Sequence, residues 1–115
     1  MIANADKVDD LAVFLQIENL RRTRFRSGDI PESDVLLKAL PAIQARFTSI
    51  CGSLDAFTGP HLEACRRILT SAQPDLDFRV IEGAGHWTPY EAADQVNAIL
   101  CDMLRESPGE RARPR

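Results

Sequence analysis

Val80-Ile81-Glu82-Gly83-Ala84-Gly85-His86-Trp87-Thr88-Pro89-Tyr90-Glu91, VIEGAGHWTPYE, decides how this chain is read. It joins a β-like run to a helix start through two glycines and one histidine. Glycines alone can make such a turn, because glycine reaches positive φ without steric cost. The imidazole of His86 therefore needs its own reason, and partners from elsewhere in the chain.

Downstream, Ala92, Ala93, Val96, Ile99, Leu100, Met103 and Leu104 recur at helical spacing, which predicts a helix from Pro89 to about Arg105 with Pro89 in the tolerant first turn. Thr88 and Glu91 fit a T-x-x-E capping box at its start. Upstream, Phe78–Ile81 reads as a strand, QPDLD as a loop, and Pro60 to Ala72 as a helix with Leu62, Cys65, Ile68, Leu69 and Ala72 on one face. Phe47–Cys51 is a second strand-length run, closed by Gly52. Before it lie a short helix from Ser33 to Leu40, stopped by Pro41, and a first helix from Asp6 to about Arg24. In that first helix Asp6 is the expected cap, and Val8, Leu11, Phe14, Leu15 and Ile17 form a wide apolar face.

The order helix, helix, strand, helix, strand, helix places the chain in the α/β class. Two strands joined by a crossover helix imply a right-handed parallel β-α-β unit. Parallel pairs are normally buried on both faces within larger sheets, so this unit reads as the edge of something bigger. Residues 1–45 are read as a helical segment, 46–106 as the α/β part and 107–115, SPGERARPR, as a disordered polar tail.

With 115 residues, 44% of them apolar and 27% charged, the chain suits one globular domain. A net charge of −3 argues against a nucleic-acid partner. No apolar run approaches the roughly 18 residues of a membrane span, and the acidic start, MIANADKVDD, is unlike a secretory signal. Cys51, Cys65 and Cys101 are widely spaced and odd in number, as expected of reduced thiols in a cytoplasmic protein. Arg21, Arg22, Arg24 and Arg26 invite an anion-patch reading, but cations near a helix C-terminus also suit its dipole.

Two residues could carry chemistry together. Asp55 lies three residues past Gly52, and His86 just past the second strand. In open α/β sheets ligands bind outside the carboxyl ends of the strands, so both side chains would face one crevice. An Asp that orients a His, which takes the proton of a nucleophile, is the chemistry that wants this pair.

Taken together, ICGSLD and, about thirty residues further on, GAGHWTPYE before an amphipathic terminal helix resemble the C-terminal part of the α/β-hydrolase fold superfamily. The resemblance covers roughly Leu36 to Leu104. It implies the last β-α-β-α part of a doubly wound parallel sheet, preceded by two helices that end a cap. It implies Asp55 as the acid and His86 as the base, in the family's order of Ser, then acid, then His. It also offers Trp87 and Tyr90 as substrate-pocket candidates, although both could equally pack the helix start. No cofactor is expected; the partner would be a small-molecule substrate with an ester, thioester or related carbonyl.

No G-x-S-x-G occurs in the chain, and none of Ser27, Ser33, Ser49, Ser53, Ser71 and Ser107 sits on a nucleophile elbow. The expectation is therefore a C-terminal fragment, holding acid and base without the nucleophile and inactive alone. The alternative is a small non-catalytic α/β interaction module that forms a homo-oligomer or binds a protein. His61 is expected to be exposed, and a zinc site from His61, His86, Cys51 and Cys65 lacks any short ligand spacing. Cys51, at a strand end, is poorly placed to act as a nucleophile.

Overall fold

A computed structural model describes residues 1–30 and 33–105. The tail expected to be disordered lies outside them. The fold is mixed α/β: α1 (Asp10–Arg22), α2 (Val35–Ala39), β1 (Thr48–Gly52), α3 (Leu62–Ala72), β2 (Asp77–Ile81), α4 (Thr88–Glu91) and α5 (Ala93–Arg105), with short 3-10 turns between some of them. β1 and β2 form a parallel pair in the register Thr48↔Asp77 through Gly52↔Ile81. β1 is displaced from its expected span by one residue, gaining Gly52, and β2 is extended by one at its start, where Asp77 joins the ladder.

The pairing ends both strands at the same level, and this is what positions the site. Ser53 donates its backbone N–H to the Ile81 carbonyl at 3.0 Å and Leu54 to the Ala84 carbonyl at 2.9 Å. Gly83 turns the chain at φ +77°, and its N–H reaches the Ser53 hydroxyl oxygen at 2.9 Å. The loop after β1 and the loop after β2 are thus laced together. Gly52 makes room for this: a Cβ there would lie 2.2 Å from the Ala84 carbonyl oxygen.

The core sits beside these loops. Ile81, Ala84 and Val96 are buried, with Ile50, Ala92 and Ile99 packed against them, so α5 covers the end of β2. A valine or isoleucine side chain such as Val96 or Ile81 contributes about 1.5–3 kcal/mol when fully buried. Gln73, at the end of α3, donates its amide to the carbonyls of Leu40 and, at 3.0 Å, Ile43, which anchors the segment after α2. No helix of the described residues is long and apolar enough to cross a membrane.

Three local expectations are corrected. The first helix begins at Asp10, not Asp6, because Asp9 is the residue whose carboxylate accepts the Ala12 N–H, at 2.8 Å; Asp6 lies in a 3-10 turn capped by Asn4. The helix expected from Pro89 to Arg105 is divided at Ala92, whose φ of −135° is not helical. The Thr88–Glu91 capping box does not form: the Thr88 hydroxyl donates back to the Gly85 carbonyl at 2.7 Å, and Glu91 is buried with other partners. A carboxylate taken out of water binds whatever N–H groups surround it, and here those belong to distant segments.

The apolar face of α1 is formed but not covered. Leu11, Phe14, Ile17 and Leu20 are about half exposed or more, and only Ala12 of that helix is buried. Periodicity creates a face; only a neighbouring surface can bury it. Arg21 and Arg22 pair with Glu18 of the same helix at 3.1 and 2.9 Å.

Candidate functional site

Asp55 and His86 come together. Asp55 follows β1 in a tight turn, its N–H bonded to the Gly52 carbonyl at 3.2 Å, and its side chain is buried at 9% exposure. One carboxylate oxygen caps the turn by accepting the Phe57 N–H at 2.8 Å. The other meets Nδ1 of His86 at 2.9 Å. Burial pushes the Asp55 carboxyl up, but the hydrogen bonds from His86 and the Phe57 N–H outweigh it and hold the group down at about 2.

The tautomer follows from that ionisation. An ionised carboxylate can only accept, so Nδ1 carries a proton, and in the neutral ring Nε2 holds the lone pair. Among the described residues Nε2 makes no hydrogen bond, and the His86 side chain is 41% exposed. The Phe57 ring stands edge-on to the imidazole with centroids 5.1 Å apart. Sequence reasoning missed Phe57, although its place two residues after Asp55 in the same turn is a usable signal.

Trp87 and Tyr90 part company. Trp87 lines an open apolar pocket of about 320 Å³ with Met1, Ile2, Val8, Val13 and Ile17. Tyr90 is outside that lining; it stands edge-on to Trp87 at 5.9 Å, and its hydroxyl donates to Asp9. The bond holds the Asp9 carboxyl below its usual range and raises the Tyr90 phenol. Tyr90 thereby ties α4 to the start of α1.

The remaining candidates do not join the site. His61 is exposed at the N-cap of α3, and Cys51 is half-buried with Sγ 3.6 Å from the Ser49 hydroxyl. Ser53 shares the Asp55 loop, but its oxygen is engaged by Gly83. Among the described residues no three His, Cys, Asp or Glu side chains cluster as metal ligands would. The arrangement can therefore do one thing well: fix the imidazole through Nδ1 and leave Nε2 without a hydrogen-bond partner among the described residues. Neither a protein-family model, nor a curated protein, nor a solved structure matches the chain.

Proposed function

We propose that this chain carries the acid and base of a serine-hydrolase triad of the α/β-hydrolase kind, acting in the cytoplasm on an ester, thioester or related carbonyl compound. The observation that carries the reading is the Asp55–His86 bond, made from the ends of two paired parallel strands through Nδ1. In this role Nε2 of His86 takes the proton of a serine as it attacks the carbonyl and returns it to the leaving group, while Asp55 holds the ring and stabilises the imidazolium. The serine and the oxyanion-binding amides come from polypeptide outside these 115 residues, completing the sheet of which β1 and β2 are one part. The apolar pocket beside Trp87 suits a substrate with a hydrocarbon portion.

The test compares residues 1–115 with a longer polypeptide that includes a G-x-S-x-G segment, using an activated ester. Turnover by the longer protein and none by the shorter supports the reading; turnover by both, or by neither, overturns it.

A second reading, a non-catalytic module that associates with its own copy or another protein, is favoured by the uncovered face of α1. It predicts a discrete, stable oligomer in light scattering and indifference to His86→Ala. An aggregated or molten chain would count against it.

A further inference from the structure

We infer that Glu91 is a positioning residue for His86, acting through a clasp between the histidine loop and the first four residues of the chain. The inference concerns how the imidazole is aimed; its importance for catalysis rests on the reading above.

Besides the bond to Asp55, the direction of the His86 ring depends on the backbone of residues 85 to 87, and among the described residues those three amides have two sources of support. Oε1 of Glu91 accepts the Gly85 N–H at 2.9 Å. The Met1 carbonyl accepts the N–H of His86 at 2.8 Å and that of Trp87 at 3.4 Å. Met1 is itself held in place by the same carboxylate, because Oε2 of Glu91 accepts the N–H of Ala3 at 2.8 Å and of Asn4 at 3.3 Å. Both lines of support therefore end on one side chain. Glycine at 85 is what lets the segments approach, since a Cβ there would lie 2.7 Å from the Ala3 nitrogen and 2.8 Å from the Met1 oxygen.

The chemistry requires a carboxylate in particular. Glu91 is 9% exposed and, among the described residues, has no cationic partner, yet every group facing its two oxygens is an N–H donor. Charge-assisted bonds of this kind offset the loss of hydration. A glutamine of the same shape supplies one oxygen only and turns an NH₂ toward an amide that also donates. Glu91→Gln thus breaks half of the clasp while leaving volume and shape alone.

The experiment uses the ¹⁵N-labelled 115-residue chain and follows two signals by NMR: amide exchange at His86 and Trp87, and the ring ¹⁵N shifts of His86 that report its tautomer. Glu91→Gln should speed exchange at both amides about tenfold or more, a local opening, while the amides of the β1–β2 ladder keep their rates. The ring shifts should move away from the pure Nδ1–H tautomer. Ala3→Pro deletes one donor at the chain's edge and should give the same pattern more weakly; it carries the test alone if Glu91→Gln does not fold. Unchanged His86 signals, or equal acceleration of the ladder amides, would overturn the proposal, the latter because it marks a residue of general stability. Faster amide exchange with unchanged ring shifts would overturn it too. Asp55→Asn separates this from the catalytic reading: it should alter the ring shifts and leave the His86 and Trp87 amides protected.

Discussion

Asp55 holds Nδ1 of His86 at 2.9 Å although the two residues are thirty-one positions apart, because the parallel register brings Gly52 level with Ile81 and releases both loops on the same side. The carboxylate is buried and the His86 side chain is partly exposed, and Nε2, the ring nitrogen that Asp55 does not engage, makes no hydrogen bond among the described residues. In a longer polypeptide that turns over an ester, His86→Ala should lower kcat by a factor on the order of 10⁶ and Asp55→Asn by a factor on the order of 10⁴, with circular dichroism unchanged. Full activity in both variants would sink the triad assignment.

The depressed Asp55 carboxyl makes folding sensitive to acid. Its ordinary value is 3.8 and its folded value about 2, so the unfolded chain binds more protons between these limits and stability rises with pH across them. The Asp55 contribution is complete above about 4, declines as pH falls toward 2 and is absent below it. Urea midpoints from pH 2 to 5 should show the gap between the unsubstituted chain and Asp55→Asn closing as pH falls; a constant gap would refute the coupling.

Gly52→Ala is the sharpest steric test of the loop lacing. The added Cβ would meet the Ala84 and Gly85 carbonyl oxygens at 2.2 and 2.4 Å, backbone atoms that cannot swing aside as a side chain would. The loss should be about 3 kcal/mol or more, read as a lower denaturation midpoint or as failure to fold. Stability within about 0.5 kcal/mol of the parent would mean that the two loops are not held together as described.

Tyr90→Phe should release Asp9. The Tyr90 hydroxyl is the largest influence holding the Asp9 carboxyl down, with the Ala12 N–H next, so its removal should move the Asp9 titration upward toward the ordinary carboxylate range. Carboxyl ¹³C shifts followed through acid titration read this directly. An unmoved Asp9 would mean that the bond between α4 and the start of α1 is not made in solution.

What could be read from the sequence were the features whose cause is local. A strand-length run closed by Gly52 placed β1 to within one residue, helical spacing placed α3 and α5, and the turns GSLD and GAGH marked Asp55 and His86 as strand-end residues. The same local reasoning failed at Asp6, where Asp9 caps the helix instead, and at the Thr88–Glu91 box, where Glu91 is drawn to the amides of Gly85, Ala3 and Asn4.

The sequence by itself determined the α/β class, the element order and the identity of the acid–imidazole pair, because side-chain periodicity and turn chemistry act over a few residues. Only the tertiary structure decided that Glu91 gathers amides from residues 3, 4 and 85, that Met1 supports the histidine loop, that the Tyr90 hydroxyl meets Asp9, and that the face of α1 stays uncovered. Those outcomes depend on which backbone N–H groups and apolar surfaces meet across more than eighty residues of intervening chain. Hydrogen bonding and burial act at contact distance, and no period in the sequence records such meetings.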